Sequence, residues 1–240
     1  MKYLSTTSIS GIDIVNFNNI QEAVDSIVDD FGGVAYEFAI AINAEKIMSA
    51  RRDPKVMDII QSGTLRYADG IGAVLAMRKK GVSANRVPGC DLWENVMEKA
   101  GELGVPVYLV GGKPQVLALA CTKLKEEYKV NLVGCCDGYF DDQNIVVQNI
   151  AQSGAKIVCV AMGSPKQEAL IEQCRKSHHD AFYMGLGGTF DVFTGTVKRA
   201  PKMFQSLGLE WLYRLLSDPT RIRRQIVYIK FMILLVLNKL

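Results

Sequence analysis

The sequence predicts an α/β fold in which a mostly parallel sheet is flanked by helices and carries a basic, amphipathic helical appendage at its C-terminal end. Three observations predict it. From Glu37 onward, short apolar runs alternate with longer stretches of helical period, which is the pattern of successive βαβ units. Most of the apolar runs close on glycine or a small polar residue. Near Thr196 the composition changes, from glycine-punctuated α/β sequence to a basic, aromatic and apolar tail. The expected division is a Rossmann-like core over 1–195 and an appendage over 196–240.

The elements follow in order. EFAIAIN (37–43) reads as a buried strand ending at Asn43, and 54–62 as a helix with Pro54 in its first turn. LRYAD (65–69) is a strand ending at Asp69, with a helix after Gly70; 92–103 is a further helix. VPVYLVG (105–111) leads through Gly111 and Gly112 into a helix over 114–128, and VNLVGC (130–135) is the next strand. AKIVCVAMG (155–163) precedes a helix over 165–177, and AFYMGLG (181–187) is the last strand. In an open parallel sheet, ligands bind beyond the carboxyl ends of the strands, so the loops at Asn43, Asp69, Gly111, Gly163 and Gly187 are expected to converge on one site.

A hydrophobic fraction of 49% over 240 residues is ample for a core and excludes a disordered chain. The net charge of +3 is unevenly placed: residues 196–240 hold nine Lys/Arg against Glu210 and Asp218, so the tail carries +7 and the remainder about −4. Two different partners are expected for the two parts. The six cysteines form no CxxC pair and the only histidines are the adjacent His178 and His179, which fits reduced cytosolic thiols and argues against a zinc site or a disulfide framework. The first residues lack the continuous apolar stretch of a signal peptide. The longest apolar run, 226–237, is interrupted by Lys230 and falls short of the roughly 20 residues that span a bilayer. It suits lying on a membrane.

Several segments can carry chemistry. The turn at Gly111 and Gly112 can bring backbone N–H groups and a helix N-terminus to a diphosphate, or can simply pack strand against helix. It is neither a full GxGxxG nor a Walker A loop, so NAD binding and ATP hydrolysis lose ground. In MGSPKQE (162–168), Ser164 is expected to cap a helix in a capping box with Gln167, while Lys166 and Gln167 also stand where a nucleotide or sugar would bind. Gly185, Gly187 and Gly188 leave another strand end open, with Thr189 and Asp191 beside it. Asp69 suits a cap, a metal ligand or a base; Glu45 and Glu168 compete for the base role. The tail joins arginines to aromatic and aliphatic residues, as a helix on an anionic membrane surface does; a core helix, an oligomer interface and nucleic-acid binding are the other readings, the last disfavoured because its basic residues are interleaved with long aliphatics.

Taken in order, AINAEK (41–46), YADG (67–70), RVPGCDLWE (86–94), VYLVGGKP (107–114), DGYF (137–140), MGSPKQE (162–168), MGLGGTFDVFTG (184–195) and VKRAPKMFQSLGLEWLYRLLSDPTRIRRQ (197–225) resemble the WecG/TagA/CpsF family, glycosyltransferase family 26. The resemblance runs from about Ile40 to the end. AINAEK and the 208–225 stretch are most similar to the WecG branch, which implies transfer of N-acetyl-D-mannosaminuronic acid (ManNAcA) from UDP-ManNAcA to undecaprenyl-diphosphate-GlcNAc, lipid I to lipid II, in enterobacterial common antigen biosynthesis. The teichoic-acid linkage branch, which transfers neutral ManNAc, is similar around a Thr-x-Asn motif; here Ala41 stands at the threonine position and Asn43 at the asparagine.

Carried over residue by residue, the resemblance implies that Asp69 is the base, that Asn43, Arg86, Gly111, Gly112, Gly163, Lys166, Gln167, Gly187 and Gly188 bind donor or acceptor, and that Arg214, Arg221 and Arg224 meet the lipid diphosphate. It implies a single inverting displacement, an appendage that completes the site at the membrane, and a cytoplasmic enzyme peripheral to the inner membrane. Arg86, Lys46 and Lys166 are the cations available to a uronate carboxylate. The chain has no DxD motif, and Asp141-Asp142 reads as a helix start, so neither metal nor cofactor is expected. Oligomerisation is compatible with the apolar tail. The alternatives are the ManNAc transferase, a non-catalytic nucleotide-binding module docked on membranes, and an oxidoreductase lacking the acidic residue such a fold needs.

Overall fold

The protein, seen as a computed structural model, is described over residues 4–206, 210, 212–213 and 222–240, with the side chains of Ser206 and of residues 222–225 outside that description. Of the arginines expected at the lipid diphosphate, Arg214 and Arg221 lie outside the described residues, and Arg224 is described only in its backbone.

All six expected strands form: β3 (Phe38–Ile42), β4 (Leu65–Ala68), β5 (Pro106–Gly111), β6 (Asn131–Cys136), β7 (Ile157–Ala161) and β8 (Phe182–Gly185). They are preceded by a hairpin that the pattern reading passes over, β1 (Thr6–Ile9) and β2 (Ile12–Val15). Ile9 pairs with Ile12, so the turn is Ser10-Gly11, and both residues have positive φ, 51° and 80°. That is the two-residue turn whose twist matches a hairpin, and its serine-glycine signal is weaker than Asn-Gly. The sheet order is β1-β2-β4-β3-β8-β7-β5-β6; β1 and β2 pair antiparallel and every other pair is parallel.

Alternation along the strands feeds two cores. Phe38, Ile40 and Ile42 point into one, with α2 (Ala44–Ala50), α3 (Pro54–Ser62), α4 (Ile71–Lys79), α7 (Gln143–Ser153) and α8 (Lys166–Ser177) covering them. Ala39, Val107 and Leu109 point into the other, covered by α1 (Ile20–Ile27), α5 (Gly89–Glu102), α6 (Pro114–Glu126) and α9 (Thr189–Phe193). Helices start where short polar side chains accept the first amides: Asn19 for α1, Asn43 for α2, Asp53 for α3 and Asp142 for α7. Asp142 is thus the helix start expected of it.

The adjacent strands β3 and β8 send their following helices, α2 and α9, to opposite faces. This is a switch point, and the crevice it opens at the carboxyl ends is where a parallel sheet takes ligand. After α9 the chain crosses that end, forms α10 (Lys202–Ser206), and returns as α11 (Ile222–Val236) against α2 and α4. Phe231 and Leu235 of α11 belong to the first core, whereas Ile226, Ile229, Ile233, Val236 and Leu237 are exposed. No helix among the described residues is long and apolar enough to cross a membrane.

Phe231 is 1% exposed. Phe231→Ala is therefore expected to lower unfolding free energy by about 3–5 kcal/mol in chemical denaturation; a loss below 1 kcal/mol would mean that α11 is not docked in solution.

Candidate functional site

At the β3/β8 switch point lies a cleft of about 830 Å³. Its floor comes from strand ends, Ala41, Tyr67 and Asp69; one wall is the segment Arg86 to Cys90, another is 185–189. The mouth is formed by residues after α9, among them Lys198, Arg199, Glu210 and Tyr213.

Asp69 owes its position to strand register. Tyr67 pairs with Ala41 and Ala68 with Ile42, and the Asp69 N–H continues the ladder to the Ile42 carbonyl at 3.0 Å. Its side chain does not cap α4, whose N-cap is Gly70 with no side-chain bond. Instead Oδ1 accepts the Gly89 N–H, at the first turn of α5, at 2.8 Å. The carboxylate thus sits at the positive end of a 14-residue helix. Burial, with the Asp69 charge adding to it, pushes the Tyr67 phenol well above its ordinary range, so this hydroxyl stays protonated beside the carboxylate.

Arg86 joins the floor to the mouth. Its Nε donates to the Asp69 carbonyl at 2.6 Å, Nη1 to the Gln205 carbonyl at 3.2 Å, and Nη2 to Glu210 Oε1 at 3.1 Å. Arg199 donates to Asp91 Oδ1 and lies 3.6 Å from the same Glu210 oxygen. Its hydrogen bond to Asp91, with further help from Glu210, holds the Arg199 guanidinium above its ordinary range. Neither Arg199 nor Glu210 stands out in the sequence. Glu210 is an isolated acid within a basic tail, and its role depends on where that tail crosses the sheet.

Four of the expected site residues, Asp69, Arg86, Gly187 and Gly188, line the cleft. Of the others, Asn43, Gly111, Gly112, Gly163, Lys166 and Gln167 are not among its lining residues. Asn43 is spent on α2, its Oδ1 accepting the Lys46 N–H at 2.9 Å. Gly111 and Gly112 serve packing: the Gly112 N–H donates to the Ala161 carbonyl at 2.9 Å, and a Cβ on Gly111, whose φ is +106°, would stand 2.3 Å from that oxygen. At this turn the two strands are in close contact. Lys166 is exposed at the start of α8.

The capping box at Ser164 does not form. Helix α8 begins at Lys166, one residue later than that motif requires, with Pro165 at the N-cap and no side-chain cap. Gln167 turns elsewhere: it is 5% exposed, and its Oε1 accepts the N–H of Gly163 at 3.2 Å and of Gly187 at 2.9 Å. Gly185 makes room, since a Cβ there would lie 2.4 Å from Gln167 Nε2. That nitrogen reaches Glu168 Oε1 at 3.3 Å, and the same oxygen pairs with Lys46 Nζ at 3.3 Å. Of the three cations considered for a uronate, Arg86 lines the cleft while Lys46 is engaged by Glu168.

No group of three or more His, Cys, Asp or Glu among the described residues is arranged to hold a metal ion. The arrangement offers a carboxylate at a closed floor, arginines at the mouth and a glycine loop that lets a ligand approach backbone. Such a set suits a phosphorylated sugar donor meeting a hydroxyl.

The family model described as the glycosyl transferase WecG/TagA/CpsF family matches residues 7–240, and the chain belongs to that family. As a glycosyltransferase it takes a nucleotide-sugar donor and an acceptor.

Gln167→Ala would leave two amides without their shared acceptor, each worth about 1–3 kcal/mol when buried. We expect a loss of about 2–4 kcal/mol in denaturant titration and faster amide exchange at Gly163 and Gly187; unchanged exchange at Gly187 would show that Gln167 does not hold the glycine loop.

Proposed function

We propose that this glycosyltransferase moves ManNAcA from UDP-ManNAcA to the 4-hydroxyl of undecaprenyl-diphosphate-GlcNAc, turning lipid I into lipid II of enterobacterial common antigen biosynthesis. The observation that carries the reading is the placement of Asp69: a carboxylate fixed by the Gly89 amide at the floor of the cleft, one residue beyond a buried strand, with arginines above it. In this reading Asp69 accepts the proton of the acceptor hydroxyl while that oxygen attacks the anomeric carbon. The bond to UDP breaks on the opposite side, and the configuration inverts. Charge on the departing diphosphate is met by guanidinium groups. General-base assistance of this kind contributes about 10²–10⁴ in rate.

The uronate donor is favoured by the likeness of AINAEK and the 208–225 stretch to the WecG branch, and by Arg86 within the cleft. Ala41 at the cleft floor, where the ManNAc-transferring branch has threonine, points the same way. The absence of a DxD motif supports turnover without a metal ion.

Peripheral attachment to the cytoplasmic face of the inner membrane, with 196–240 as the appendage that completes the site, is supported by the exposed face of α11. Ile226, Ile229, Ile233 and Val236 form an apolar stripe at helical spacing, with Lys230 beside it. Such a helix lies in the interface with its aliphatic side in the acyl boundary and its cations at anionic headgroups.

Transfer to a detergent-solubilised polyprenyl-diphosphate-GlcNAc acceptor, with EDTA present, tests the chemistry. Product is expected from UDP-ManNAcA and not from UDP-ManNAc, and Asp69→Asn should lower kcat by about 10²–10⁴ while UDP affinity and melting temperature hold. Product from UDP-ManNAc alone would move the enzyme to the other branch. Full activity of Asp69→Asn would remove Asp69 as the base.

The membrane reading has its own test. The double substitution Ile229→Asp, Ile233→Asp should weaken binding to anionic phospholipid vesicles about tenfold or more without altering UDP affinity; undiminished vesicle binding would exclude α11 as the contact.

A further inference from the structure

Two arginines of the cleft, Arg86 and Arg199, are engaged by the chain's own carboxylates. Glu210, 8% exposed, sets Oε1 3.1 Å from Arg86 Nη2 and 3.6 Å from Arg199 Nη2. Two guanidinium groups converging on one anion make the geometry that arginine forks offer to phosphate. Both forks are also held without Glu210. Arg86 is fixed by the carbonyls of Asp69 and Gln205, and Arg199 by Asp91. Removing the Glu210 carboxylate would therefore leave a formed cationic seat rather than two loose side chains.

We infer that Arg86 and Arg199 form the seat for a diphosphate, occupied in this structure by the Glu210 carboxylate as an internal counter-anion, and that a diphosphate ligand takes the place of that carboxylate. The inference rests on the donor and acceptor reading above, because the donor and the lipid acceptor both carry a diphosphate. Arg86, Arg199 and the exposed Lys198 face Asp69, Asp91, Asp191 and Glu210 around the cleft, so displacing the Glu210 carboxylate removes one of four negative charges as a diphosphate enters. The Arg86 Nε bond to the Asp69 carbonyl places the seat directly beside the proposed base. Loading of the seat and positioning of Asp69 are thereby parts of one network.

The test is calorimetric titration of the full chain with UDP and, separately, with farnesyl diphosphate as a short prenyl diphosphate. Glu210→Gln is expected to bind one or both about five- to tenfold more tightly than wild type, and Arg199→Gln to bind the same ligand about tenfold more weakly. Tightening for UDP alone assigns the seat to the donor; tightening for farnesyl diphosphate alone assigns it to the acceptor. Equal affinity of wild type and Glu210→Gln for both ligands would overturn the seat and leave the transfer reading standing. Failure of wild type and both variants to bind UDP or farnesyl diphosphate would overturn the seat together with the reading on which it rests.

Discussion

Strand β3 is paired in parallel on both edges, with β4 on one side and β8 on the other, and the chemistry of the molecule depends on that pairing. Parallel neighbours end on the same side of a sheet, so the loops after three strands far apart in sequence emerge together. The register of β3 on β4 sets Asp69 beyond the ladder, and the register of β3 on β8 brings the glycines at 185–188 to the same opening. Because α2 and α9 leave toward opposite faces, nothing in the sheet layer fills the space between those loops. The cleft is a consequence of topology before any side chain lines it.

What lines it is then held by bonds that run across the sheet rather than along the chain. Gln167 gathers the amides of two loops on one oxygen, and Gly185 lacks the side chain that would block it. Asp69 reaches from a strand end to the first amide of α5. Arg86 connects that strand end to the C-terminal segment, where Glu210 and Arg199 complete a network of opposite charges. A buried or half-buried charge is costly unless partnered, and here the partners come from both the core and the tail. The same network that anchors the tail also concentrates the cations a diphosphate needs.

The long alternation of apolar runs and helical stretches made β3 to β8 legible in order and nearly to the residue, because buried parallel strands are continuous apolar runs closed by turn residues. The hairpin over Thr6–Val15 was not, since its strands have four residues each and its turn is Ser-Gly rather than Asn-Gly. For the site, position at a strand's carboxyl end selected Asp69, Gly187 and Gly188, and the motif resemblance added Arg86. The same criterion also selected Gly111, Gly112 and Gly163, which are not among the lining residues; the Gly112 amide meets the Ala161 carbonyl and the Gly163 amide meets Gln167. Spacing locates the end of a strand but not the acceptor its amide meets.

By itself, then, the sequence determined that a parallel sheet would form, where its strands would stop, and that a basic, half-apolar tail would follow. These are local properties, fixed by the period of apolar residues and by the few residues that tolerate a turn. The tertiary structure decided which of the polar groups at those ends share a cleft. β8 pairs with β3 across more than a hundred residues, and the tail returns over the opening to set Glu210 between two arginines. Such neighbours are chosen by the packing of two hydrophobic faces, whose free energy depends on area removed from water and not on the polar groups that the packing brings together.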